Sequence, residues 1–394
     1  MLRLKLVLLG AIPLLAAQPL MAGTFVVGSC KAKVTSFATI SAAVSTVPAG
    51  STVLVCPGTY PEQVTITQSM TLVGIADSNQ NIAMITVPST GLVTNSSSLF
   101  GESIAAQVLV QGGPVTLNNI AVDGTGSDLQ CAGLAWVSGI FFAPGSSGQV
   151  NHGKVSGQVN GGCGVGIWAE NTEGPDKFVT VQNSSVHDVD GFGIFVASNA
   201  ASPNLFASIK GNVVSVGGTG LIGIGLSNVT GSVTGNDVSN AMFDIVSAGA
   251  DVSIAFNTAS LATAGIAMEN GGSVTNNRIS GTNTGLFFFS DGGVVHLNRI
   301  SAISGSAIEL NCNSAIVSGN TINDAAIGVD NAPLGFPGVN SFDNTVTVKG
   351  GSCGAIAATV QKTALTATPS AGDTVSGTSI WQWRTPASPY ASLK

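Results

Sequence analysis

The sequence predicts an all-β solenoid that winds once every twenty-odd residues, and three observations carry the prediction. Asn212, Asn236, Asn257, Asn277, Asn298 and Asn320 follow one another at intervals of 24, 21, 20, 21 and 22 residues. Apolar columns keep the same period: Val214, Val238, Ala259, Ile279, Ile300 and Ile322, then Ile224, Ile245, Ile266, Leu286, Ile308 and Val329. The 51 glycines and only 8% charged residues suit tight turns and short β segments rather than amphipathic helices. A repeat of this length, with no helix-length amphipathic stretch, is what stacked coils require. Equivalent residues then lie about 4.8 Å apart, so the asparagine amides are expected to form a structural ladder of hydrogen bonds. A chain of 394 residues would ordinarily divide into several domains. A solenoid lengthens without thickening its core, so a single domain is expected.

Residues 1–22 read as a signal peptide for a secreted or periplasmic protein. Arg3 and Lys5 start it, Leu6 to Ala17 form the apolar stretch, and Leu20-Met21-Ala22 places cleavage before Gly23. The apolar stretch is too short for a membrane span, and none is expected later. The β domain is assigned to 23–350. It opens with a capping helix over 36–48: Ile40, Val44 and Val47 share one face, Thr35 or Ser36 caps the start, and Pro48 and Gly50 stop it. Such a cap covers the open end of a solenoid. A strand, a Pro57-Gly58 turn and a second strand follow to Ile66, with a third at 70–74. Over 88–210 the coils are longer. Asn119, Asn151 and Asn183, spaced by 32, are read as continuing the ladder, with loops at 123–136, 141–148 and 169–178. Residues 351–394 lose the period and carry Trp381 and Trp383, the expected C-terminal cap or tail.

Cys30, Cys56, Cys131, Cys163, Cys312 and Cys353 contain no Cys-x-x-Cys, which disfavours a metal cluster and favours disulfides in an oxidising compartment. Six cysteines allow 15 connectivities. Separations of one or two coils favour Cys30–Cys56, Cys131–Cys163 and Cys312–Cys353. A net charge of −7, with no run of Lys or Arg, excludes a nucleic-acid groove.

The helix followed by Gly50-Ser-Thr-Val-Leu-Val-Cys-Pro-Gly-Thr-Tyr-Pro-Glu-Gln-Val-Thr-Ile-Thr-Gln-Ser-Met-Thr-Leu-Val-Gly74 resembles the first coils of secreted right-handed parallel β-helix proteins of the pectate lyase and pectinesterase type. With the asparagine-centred coils the resemblance spans roughly 36–350. It implies an all-β, single-stranded right-handed parallel β-helix. For activity it leaves lyases, esterases, polygalacturonases, epimerases and adhesins open.

Chemistry is sought in outward columns. One residue after the Ile224 to Val329 column stand Gly225, Val246, Ala267, Phe287, Glu309 and Asp330. Glu309 and Asp330 on neighbouring coils would lie near the carboxylate separation of retaining glycosidases, as acid and nucleophile. Glu269, two positions along its own strand, could join them. Solvated acids, or calcium or sugar binding, are the other readings of the same column; no other cofactor is expected. A second column holds Val213, Asp237, Thr258, Arg278, Arg299 and Thr321. Its stacked arginines could hold the carboxylates of an acidic polysaccharide, or could be solvated beside Asp237. His187, Asp188 and Asp190, before Gly191, form either a general-base or ligand cluster or a turn.

The catalytic patterns of the families resembled are missing. Phe243-Asp244-Ile245-Val246 only partly matches the pectinesterase Asp-Phe-Ile-Phe-Gly. Arg299-Ile300-Ser301 lacks the lysine of the polygalacturonase Arg-Ile-Lys, and there is no Gly-His-Gly. Two classes remain: a non-catalytic module binding a glycan, matrix or cell surface, and a polysaccharide lyase or hydrolase. A groove of acids, a base and aromatic platforms favours the enzyme, and a flat Thr, Ser and Asn face favours the binder.

Overall fold

In the computed structural model, residues 21–330 are described, apart from 33, 35, 77–81, 132–134, 218–219, 250, 270, 290–291, 312 and 314, together with the strand Thr345–Val348. Each regular coil contributes three short strands, because β-branched triplets and quintets are cut by residues that accept a left-handed turn. The coils stack in parallel register as a right-handed β-helix. The first sheet runs through Ser51–Val55, Met70–Gly74, Pro114–Asn118, Ser147–Asn151, Lys177–Gln182, Leu205–Lys210 and Thr230–Thr234, and on to Ala315–Ser318. The second runs through Ile120–Asp123, Lys154–Ser156, Ser185–His187, Val213–Ser215, Asp237–Ser239, Thr258–Ser260 and Arg278–Ser280 into Arg299–Glu309. The third runs through Ser103–Val110, Ala135–Phe142, Gly164–Asn171, Phe192–Ser198, Ile222–Ser227, Phe243–Ala248, Ala264–Met268 and Thr284–Phe288.

At the corner between the first and second sheets the six asparagines are buried and form the expected ladder. From Asn212 to Asn298, each backbone N–H and each Nδ2 donates to Oδ1 of the asparagine one coil on, at 2.9–3.0 Å. Nδ2 of each also donates to a carbonyl of the first sheet on the preceding coil, from Val181 to Val295. Every side-chain amide of the six is therefore used on both its oxygen and its nitrogen. The ladder does not continue through Asn119, Asn151 and Asn183. Its upstream members are Ser184, whose N–H meets Asn212 Oδ1, and Gly153, whose N–H meets Ser184 Oγ. Asn119 and Asn183 occupy the left-handed position just before the corner, with φ of 54° and 51°, and Asn151 ends a first-sheet strand.

The helix is shorter than predicted, Ile40–Thr46, with Thr39 rather than Thr35 or Ser36 as its N-cap. The reason is that Ser36–Phe37 is a strand paired with Thr24–Val27. Glu62 anchors the helix by accepting from the Ile40 and Ser41 amides at 2.9 and 2.8 Å. Ile40, Val44 and Val47 do bury one face. Cys30–Cys56 and Cys131–Cys163 are disulfides; Cys312 and Cys353, residues 1–20 and the tail at 351–394 lie outside the described residues. Two of the predicted loops shrink, since Ala135–Phe142 and Gly164–Asn171 are strands and the connectors reduce to 143–146 and 172–176. No helix among the described residues is long and apolar enough to cross a membrane.

The interior is one continuous apolar column from Val27 to Val329. The third sheet differs from the other two because its outward face is also apolar: Trp136, Phe141, Trp168, Phe192, Phe195, Phe243 and Phe287 form a second buried cluster.

Candidate functional site

The second sheet exposes two columns on its outer face. The first column is Val213, Asp237, Thr258, Arg278, Arg299 and Thr321, in direct register as predicted. The second is Ser156, His187, Ser215, Ser239, Ser260, Ser280 and Ser301. Alternation places these on one side and Val214, Val238, Ala259, Ile279 and Ile300 in the core. Arg278 and Arg299 are exposed neighbours one coil apart. Neither guanidinium has an ion-pair or hydrogen-bond partner among the described residues. Asp237 stands two coils from Arg278, with Thr258 between, too far to neutralise it. Two like charges held about 4.8 Å apart along a sheet repel unless an anion lies between them.

The outward column of the third sheet reads Phe141, Trp168, Phe195, Gly225, Val246, Ala267, Phe287, Glu309 and Asp330. Glu309 and Asp330 are register partners, as the periodicity predicted, but they are only 7% and 8% exposed. Burial, and secondarily the Asp330 charge, raises the Glu309 pKa to about 7. Ser306 Oγ reaches Asp330 Oδ2 at 3.5 Å. Glu269 is not brought to this pair. It sits beyond Phe287 and Phe289, whose rings pack edge to face with centroids 4.5 Å apart.

The His187 cluster divides. His187 Nδ1 and Asp188 Oδ2 are 2.7 Å apart on the exposed face, with Asp188 in a left-handed turn at φ 52°. Asp190 is buried and fully engaged. Its Oδ2 accepts from the amides of Asn160, Gly161 and Gly162 and its Oδ1 from Gly164, at 2.7–2.8 Å. It therefore fixes the loop carrying Cys163 and has no lone pair directed at a ligand. No group of three or more His, Cys, Asp or Glu side chains among the described residues is arranged to hold a metal. A shallow depression where the first and second sheets meet is lined by Asn119, His152, Lys154 and Asn183 and contains none of the predicted site residues.

Two buried acids were not among the predicted site residues, although Asp244 lies in the partial pectinesterase-type match. Glu170, beside Trp168, is buried, and burial raises its pKa to about 8. Its Oε2 accepts from the Leu99 amide at 2.8 Å, and the Trp168 side chain beside it only partly offsets the effect of burial. Asp244 is fully buried, and burial raises its pKa to about 9 against the smaller lowering effect of the nearby Ala241 and Ser260 backbone. It occupies a column otherwise made of Gly139, Gly166, Gly193, Gly223, Gly265 and Gly285, where an added methyl would strike a branched side chain of the second sheet, Val238 for Gly223 and Ile279 for Gly265. Beside Asp244 that second-sheet column shrinks to Ala259. The paired exception, Asp for Gly and Ala for Val or Ile, was the available signal.

No protein-family model matches the chain, and no curated protein matches it by sequence. Among solved structures, the A-module of Azotobacter vinelandii mannuronan C-5 epimerase AlgE4 is similar, with 14% identity and a TM-score of 0.45 over 74% of this chain and 92% of that one. The periplasmic alginate epimerase AlgG gives 13% identity and a TM-score of 0.47 over 74% and 70%. Pectin methylesterase PemA from Erwinia chrysanthemi gives 10% identity and a TM-score of 0.29 over 63% and 81%.

Proposed function

We propose that this chain is a secreted, non-catalytic β-helix module that binds an acidic polysaccharide along the outer face of the second sheet. The observation that carries the reading is the pair Arg278 and Arg299, exposed, stacked and without a carboxylate partner among the described residues, on a flat face of serine and threonine. Guanidinium groups suit bidentate capture of carboxylates, and a polymer lying along the helix axis meets a serine column that repeats on each coil from Ser215 to Ser301. The two disulfides fit an oxidising, exported setting.

Binding of the mature chain to polygalacturonate and to neutral dextran, at low and high salt, tests this. Binding to the anionic polymer alone is expected, weakened by salt. Replacing both arginines, Arg278→Gln with Arg299→Gln, removes charge-assisted contacts and is expected to weaken it about tenfold or more. Equal binding of both polymers, or an unaffected double variant, refutes the reading.

A second reading is hydrolysis at Glu309 and Asp330, favoured by one observation: a carboxyl poised near neutral pH beside a second carboxylate resembles an acid and nucleophile pair. If glycan turnover is found, Glu309→Gln is expected to lower it about a hundredfold or more while binding persists.

A further inference from the structure

Two columns of left-handed turns border the second sheet. On its entry side lie Asn119, His152, Asn183, Gly211, Gly235, Phe256, Asn276, Leu297 and Gly319, with φ between 51° and 66°. On its exit side lie Asn240, Leu261, Gly281, Ala302 and Asp324, with φ between 55° and 66°. Glycine and asparagine are the natural occupants of this backbone region. A bulky side chain there costs roughly 1–2 kcal/mol, and a core position could offset that by burial. Phe256, Leu261 and Leu297 are instead 64%, 64% and 48% exposed. They combine backbone strain with apolar surface left in water, so the folded state of the isolated chain gains little from them. Strain that the fold does not use is a pointer to function.

The three side chains are not scattered. Phe256 and Leu261 bracket Thr258–Ser260, and Leu297 precedes Arg299 two coils on, in the same turn column as Phe256. They edge the part of the face that carries Arg278, Arg299, Thr258, Ser260, Ser280 and Ser301. We infer that Phe256, Leu261 and Leu297 form an apolar rim of a carbohydrate site, packing against the C–H faces of sugar rings while the two arginines hold carboxylates of the same chain. This rests on the acidic-polysaccharide reading above and adds the residues that grip its neutral surface. Aromatic and aliphatic side chains over cations also suit an anionic membrane. Inserting this face into lipid would strip water from the intervening hydroxyls without giving them partners, whereas a polysaccharide supplies apolar faces, hydroxyls and carboxylates together.

The test compares the parent, the arginine double variant and a rim variant carrying Phe256→Asn, Leu261→Asn and Leu297→Asn, each measured for thermal stability and for binding to polygalacturonate and to phosphatidylglycerol vesicles. Asparagine suits the left-handed turn, so the rim variant is expected to melt at or above the parent temperature. It is expected to bind the polymer roughly tenfold more weakly with an unchanged salt dependence, while the arginine variant loses the salt dependence. A rim variant that binds like the parent, while the arginine variant fails, overturns the rim and leaves the polysaccharide reading standing. A parent that binds vesicles and no polymer overturns both. A large drop in the melting temperature of the rim variant shows that the three side chains serve the fold and also overturns the inference.

Discussion

The outer faces of the second and third sheets are built from the same coils and differ in almost everything else. The second presents serines, threonines, Asp237 and two arginines whose side chains have no partner among the described residues. The third presents Phe141, Trp168, Phe195 and Phe287, buried, with Glu309 and Asp330 drawn into the same covered column. One sheet has only its inner face packed, so its strands alternate polar and apolar. The other is packed on both faces and reads as nearly continuous apolar runs such as Phe192-Gly-Ile-Phe-Val-Ala-Ser198. The difference shows where charge is available to a ligand: the acids that look catalytic in sequence register are in the dry face, and the cations are in the wet one.

The interior that both faces share should be the most sensitive. Asn277→Leu removes the acceptor for Asn257 N and Nδ2 and a donor to Ile254 O, all buried. At about 1–3 kcal/mol for each unsatisfied group, it is expected to lower stability by about 3 kcal/mol or more in denaturant unfolding. A variant as stable as the parent would break the ladder account. Ala259→Val is expected to cost about 1–3 kcal/mol by overpacking in the parent and much less beside Asp244→Gly, read from a double-mutant cycle.

Dryness on and behind the third sheet has a pH signature. Glu309, Glu170 and Asp244 all have folded pKa values above their unfolded ones of 4.5, 4.5 and 3.8. Each therefore contributes stability that is full below about pH 4 and is lost as pH rises through about 7, 8 and 9 in turn. Melting temperature is expected to fall from acid to alkaline pH, and Asp244→Asn to flatten the alkaline end. A profile that rises over that range would mean these carboxyls are hydrated and the third face is wet. The smallest effect belongs to the second sheet: Ser239→Ala, on its half-exposed serine column, is expected to change stability by no more than about 0.5 kcal/mol.

Much of this architecture was legible in the sequence because the repeat is. The Asn212 to Asn320 period gave the ladder, and the offset columns gave the register of Glu309 with Asp330 and of Arg278 with Arg299. Legibility failed where a property depends on what covers a residue. Periodicity places Glu309 outward, but only the second apolar cluster reveals that outward is not exposed. It failed also where serine or glycine substitutes for asparagine: Ser184 and Gly153 hold the upstream ladder positions, while Asn183, just before Ser184, and Asn119, in the same turn column, have the right chemistry for the preceding turn. Asp190 looked catalytic beside His187 because sequence does not show four backbone amides converging on its carboxylate.

Side-chain footprinting of the mature chain with and without polygalacturonate tests most directly which face meets the ligand. Protection is expected at Phe256, Arg278, Leu297 and Arg299, with Trp168, Phe287 and Glu309 unchanged. Protection confined to Phe287 and Glu309, with the second sheet unaffected, would contradict the assignment.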